Sequence, residues 1–97
     1  MSKIGIAVLY KVKSGQRATV LELVKGHAER TKANEPGCLQ FEVLVPHDQE
    51  DELRLFEMYA DADAFKAHTQ APYLARIGQD LKPLLDERIV TVCDIAD

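Results

Sequence analysis

The chain has no tryptophan, and aromatic residues make up only 6% of its 97 positions. Its two cysteines, Cys38 and Cys93, stand far apart and form no CxxC pair. That argues against a secreted disulfide framework and against a structural zinc site, which needs about four clustered ligands. Both thiols are expected to be reduced, small core residues. Histidines fall only at His27, His47 and His68, with no HxH or HxxxH spacing, so no metal centre is expected. There is no glycine-rich phosphate loop and no dinucleotide-binding fingerprint, so no cofactor is expected. The longest apolar run is far short of the roughly 18 residues a membrane span requires. Lysine and arginine are scattered and the net charge is −4, which removes the electrostatic case for nucleic acid or an anionic membrane surface. Met1-Ser2-Lys3-Ile4 runs directly into a strand-like segment without an apolar leader, and a cytoplasmic location is expected. Repeats, linkers and low-complexity segments are also lacking.

What is present suits one soluble domain over residues 1–97. Hydrophobic residues are 46% and charged residues 29%, enough for a core and a solvated surface. Residues 3–12 alternate as a strand, with Ile4, Ile6, Val8, Tyr10 and Val12 against Gly5, Ala7, Leu9 and Lys11. Lys13-Ser14-Gly15 is a turn, and Ser14 is placed to cap the first helix. Residues 16–34 carry a helical stripe of Val20, Leu21, Leu23, Val24, His27, Ala28 and Thr31, and Pro36-Gly37 ends it. A second strand spans 38–46, with Leu39, Phe41, Val43 and Val45 on one face. A polar hairpin leads to a third strand over 52–60. A short helix over 62–70 is broken at Ala71-Pro72, where a second helix starts and runs to Lys82-Pro83. Residues 87–95 form the last strand. The order β-α-β-β-α-β predicts an α+β, ferredoxin-like split motif: a four-stranded antiparallel sheet with helices on one face.

The strands are apolar on both sides, and two helices cover only one. Phe56, Met58 and Ile89 therefore need another cover, and a second copy packed sheet on sheet supplies it. A homodimer is expected.

Chemistry concentrates in the third strand and the helix after it. Leu53, Leu55, Glu57 and Tyr59 share one strand face. Asp61 reads as a helix N-cap, with Asp63 in the first turn. Phe65 and His68, three apart, share the face that packs on the sheet. An acid, a phenol and an imidazole are thus directed toward one pocket. Each also has a plain structural reading. Glu57 can be an acid bonded to backbone, hydroxyl or arginine, and His68 a helix-end histidine satisfied by a carbonyl. His27 can be a satisfied core residue, and Tyr59, Tyr73, Phe41 and Phe65 can be packing groups.

Glu35-Pro36-Gly37-Cys38-Leu39, then Phe41, then Glu57-x-Tyr59-x-Asp61, then Ala64-Phe65 and His68 before Pro72, resembles the antibiotic biosynthesis monooxygenase (ABM) family. The resemblance runs over essentially the whole chain. It implies a dimeric α+β barrel built from one small domain, with no flavin or metal. Family activities differ: cofactor-free oxidation of polyketide-like aromatics or quinols, haem degradation, and processing of phosphorylated autoinducer-2. The lack of tryptophan, and Ala7 where haem degraders carry an asparagine, count against haem. Tyr73 replaces a histidine common after the proline, and Ala28 an asparagine common in the first helix.

Glu57 and His68 are expected as proton-transfer residues, and Tyr59, Tyr73, Phe41, Phe65 and His27 as substrate-binding residues. The leading expectation is a cofactor-independent monooxygenase acting with O₂ on a small aromatic, quinol or polyketide-like molecule. The alternatives are an O₂-independent isomerase of a small phosphorylated ketose-like molecule, and a non-catalytic ligand-binding dimer. The isomerase needs a cationic anchor, for which Lys25, Arg30 and Arg76 are candidates.

Overall fold

A computed structural model describes residues 2–96. Its elements are β1 (Ile4–Val12), α1 (Arg17–Asn34), β2 (Cys38–Leu44), β3 (Glu52–Tyr59), α2 (Ala62–Thr69), α3 (Pro72–Leu81), a 3₁₀ turn (Lys82–Leu84) and β4 (Leu85–Asp94). The sheet order is β2-β3-β1-β4, and every neighbouring pair is antiparallel. This is the ferredoxin-like α+β architecture that the order of elements predicts.

Period-two alternation sorts the residues of each inner strand. In β1, Ile6, Val8, Tyr10 and Val12 are buried beneath the helices, while Ala7 and Lys11 are exposed on the opposite side. Register carries the same division into β3: Ile6 pairs with Glu57, Val8 with Leu55 and Tyr10 with Leu53. The α1 stripe of Val20, Val24, His27, Ala28 and Thr31 is buried, which closes the core over the β2–β3 half of the sheet. Each fully buried valine or leucine there contributes about 1.5–3 kcal/mol. On the β4 side the helix layer stops short, and β4 is exposed along almost its whole length.

Two glycines sit where a side chain does not fit or would be strained. Gly15 has φ 79° in the turn before α1. At Gly37, a Cβ would come within 2.5 Å of the Ala64 Cβ, so the glycine sets how closely α2 approaches the start of β2.

Several local expectations are corrected. Ser14 does not cap α1. The helix begins at Arg17, and Gln16 holds the cap position without a side-chain bond, because the turn at Gly15 leaves Ser14 two residues too early. The second strand ends at Leu44, and Leu39 and Val45 are half exposed. A register shift between Cys38 and Gln40 takes Leu39 out of the alternation that Phe41 and Val43 follow. The last strand starts at Leu85, two residues early, because the 3₁₀ turn hands the chain directly to it. Cys93 is exposed on that strand rather than in the core, and Cys38 is half-buried; both are free thiols. No helix among the described residues is long and apolar enough to cross a membrane.

Candidate active site

The site is built where the end of α1, the end of β3 and α2 converge. Pro36 disfavours a helical conformation at the residue before it, and Glu35 is accordingly extended (φ −122°, ψ 97°) at the C-cap of α1. Asp61 caps α2: its carboxylate accepts from the Ala64 N–H at 2.8 Å. Seven residues on, His68 lies in the last turn of α2, where it is buried.

His68 stands between two carboxylates. Its Nδ1 lies 3.0 and 3.1 Å from the two oxygens of Glu35. The Tyr73 hydroxyl also donates to Glu35 Oε2. A carboxylate that takes two donors is an acceptor only, so Nδ1 carries the hydrogen and Nε2 is left for chemistry. Nε2 lies 3.7 Å from Glu57 Oε1, beyond hydrogen-bond length. A hydroxyl inserted beside this gap can reach both groups.

Glu57 is buried, and burial pushes its pKa up, with the Tyr59 hydroxyl bond and the His68 and Arg88 charges opposing. Tyr59 Oη donates to Glu57 Oε1 at 2.6 Å. Burial, and then the neighbouring Glu57 carboxylate, raise the Tyr59 pKa and keep the phenol a donor. The Tyr73 hydroxyl is pushed up to about 12 by burial and by its bond to Glu35. His27 is pushed down to about 4, first by burial and then by its neighbours His68 and Arg30. It is therefore a neutral imidazole near pH 7, and its buried Nδ1 has no hydrogen-bond partner among the described residues.

A cavity of about 510 Å³ opens between the sheet and the α2–α3 layer. That volume is in the range of small-molecule sites. Its walls are largely apolar: Ile6, Val8, Leu55, Leu74, Ile77 and Leu81, with Val90 toward β4. Of the residues singled out from the sequence, Glu57, His68, His27 and Phe65 line it. Tyr59, Phe41 and Tyr73 do not. Tyr59 is fully buried behind Glu57, its ring centroid 5.1 Å from that of His68. Phe41 backs His27 edge-on at 5.5 Å, and Tyr73 lies 5.9 Å from the same ring.

The sequence presents Glu35 as a helix stop or a partner for lysine or arginine, and gives no sign of its contact with His68. Its place directly before Pro36-Gly37 signals only a chain reversal. Tyr10, Lys82 and Arg88 also line the cavity and are not singled out by sequence reasoning. The alternation of the first strand is an available signal for Tyr10 alone. The candidate cations Lys25, Arg30 and Arg76 lie outside the cavity wall, and Lys25 faces Glu22 at 3.9 Å on the surface of α1.

Residues 4–79 match the family described as "Antibiotic biosynthesis monooxygenase". The solved structure of a candidate antibiotic biosynthesis monooxygenase from Caulobacter crescentus CB15 is 27% identical, with 99% of this chain and 92% of that one covered and a TM-score of 0.92. Rv0793 from Mycobacterium tuberculosis is 24% identical, with 99% and 97% covered and a TM-score of 0.89. A conserved protein from Methanosarcina mazei Go1 is 22% identical, with 96% and 92% covered and a TM-score of 0.87. The last two likenesses show the fold alone. No curated protein matches the sequence.

Proposed function

This chain belongs to the antibiotic biosynthesis monooxygenase family, and we propose that it is a cofactor-independent monooxygenase that oxidises a small aromatic or quinol-like substrate with O₂. One observation carries the reading. His68 is fixed by Glu35 at one nitrogen, and its other nitrogen faces Glu57 at the wall of a mostly apolar cavity.

The chemistry follows from that geometry. A phenolic hydroxyl seated at the gap between Glu57 and His68 loses its proton to one of them. Burial makes Glu57 a stronger base than a surface carboxylate, and the Glu35 carboxylate fixes the orientation of the His68 ring. The electron-rich phenolate passes one electron to O₂, and the resulting radical pair closes a carbon–oxygen bond. The hydroperoxide then loses the ring hydrogen as a proton, its O–O bond breaks, and hydroxide leaves with a proton as water. A carbonyl remains, so phenol plus O₂ gives quinone plus water. The apolar walls keep bulk water from the anion, and the neutral His27 ring forms part of the wall beside them.

The test is oxygen uptake by protein freed of flavin and metal, with hydroquinones and anthrone-like phenols. Uptake above autoxidation is expected. It should vanish in Glu57→Gln His68→Ala, and fall on the order of 10²-fold in Glu35→Gln. No uptake above autoxidation, or uptake unchanged in the double variant, overturns the proposal. Apolar walls suit an aromatic body better than a polyhydroxylated one, which ranks the ketose isomerase second.

The active form in this reading is a homodimer, joined sheet to sheet. Its support is the side of the sheet away from the helices, where Leu9, Leu44, Phe56, Met58 and Ile89 have no helix over them. Leu44 and Ile89 are 47% and 42% exposed.

A further inference from the structure

The cavity has a second polar end, remote from the acid–base pair. Register places Arg88 of β4 beside Tyr10 of β1, in line with the Val90–Val8 pair on the helix-facing side of the sheet. Tyr10, Arg88 and Lys82 all line the cavity. Arg88 acts on the buried Tyr10 phenol, lowering its pKa beneath the larger rise from burial. Its charge reaches Glu57 and His27 as a smaller influence beneath that of burial.

The acids nearby do not neutralise this end. Glu87 faces Lys11 at 3.7 Å. Among the described residues, neither Arg88 nor Lys82 has a carboxylate at ion-pair distance. Asp86 is the one other acid of the wall besides Glu57 and Glu87, so two cations face a single uncommitted carboxylate there. A guanidinium at the edge of an apolar wall is a strong site for a planar carboxylate.

Spacing sets the shape of the ligand. From Ile6, which pairs with Glu57, to Tyr10, which pairs with Arg88, β1 advances four residues. At strand rise that is about 13 Å between the two rows. A two-ring acid bridges the span once the side chains reach inward, with Val8, Leu55 and Val90 against its rings.

We propose that the cavity selects an aromatic carboxylate. Its acid group is held by Arg88, with Tyr10 and Lys82, and its ring hydroxyl is presented to Glu57 and His68. The substrate orientation rests on the acid–base reading above; the anion site does not.

The test is calorimetric binding of two redox-inert probes of one shape, 2-naphthoate and neutral 2-naphthylmethanol. The carboxylate is expected to bind at least about tenfold more tightly. Arg88→Met should bring the ratio toward one, while Arg88→Lys keeps part of the preference. Asp86→Asn should tighten 2-naphthoate binding, a gain that misfolding cannot mimic. Equal affinities, no detectable naphthoate binding, or a ratio unmoved by Arg88→Met overturns the proposal. So does dihydroxyacetone phosphate binding as tightly as 2-naphthoate. Naphthoate preference without oxygen uptake keeps the anion site and removes the oxygenation. Uptake with a neutral quinol and no naphthoate preference does the reverse.

Discussion

His27 is almost completely buried, and the fold strongly opposes its protonation. Its pKa falls from 6.5 to about 4 on folding. Between those values the unfolded chain binds a proton that the folded chain refuses. Stability from this group is complete above pH 6.5 and drains away as the pH falls toward 4, by up to about 3 kcal/mol. Glu57 works in the opposite sense: burial raises its pKa, so its contribution is lost as the pH rises through the folded value. The two slopes are separable by substitution. Urea unfolding near pH 7 and near pH 4.5 should show a smaller acid loss in His27→Gln than in the native protein. Equal losses in the two proteins would contradict the assignment. Neither direction is visible in a sequence, because both depend on which groups the fold packs around the side chain.

At the scale of elements, α2 is a short helix of eight residues that carries His68, so its start bears directly on the site. Asp61→Ala removes the cap bond to Ala64 N and should cost about 1 kcal/mol in thermal or urea unfolding. It should also weaken 2-naphthylmethanol binding by loosening the His68 end of the cavity. Retained stability would show that Gly37 and Ala64 hold the helix start without the cap. Asp61 is legible in the sequence because capping is a local matter, decided within four residues. The strand and helix order is legible for a similar reason: Ile6, Val8 and Tyr10, or Val20, Val24 and His27, repeat at the period of their element. Glu35 is not legible. Its partner His68 is 33 positions away, and a helix stop already accounts for a glutamate before Pro36. The displacement of Leu39 escapes a strict alternation reading, which has no place for a register shift. Arg88 escapes it too, because the alternation of β4 looks outward on both sides until its register against Tyr10 is known.

At the scale of the whole molecule, the body is 18 Å thick in its thinnest direction, as expected of one sheet and one helix layer. The apolar side of the sheet without helices is proposed to bury itself against a second copy. Phe56→Asp places a charge in the middle of that surface, next to Ala7 in register and away from the cavity. Sedimentation at micromolar concentration should show a dimer for the native chain and a monomer for the variant. A native monomer would remove the proposal. The alternation of β1 has a consequence for how such a protein can change over time. Of its even positions, Ile6, Val8 and Tyr10 line the cavity, and its odd positions, from Gly5 to Lys11, lie on the side proposed to meet a partner. One strand thus spells two interleaved messages, and single substitutions can edit either without disturbing the other. Selectivity and assembly are free to drift apart residue by residue. An insertion or deletion of one residue within β1 has no such freedom: it exchanges the two messages at a stroke, turning ligand-facing letters to the partner and partner-facing letters to the ligand.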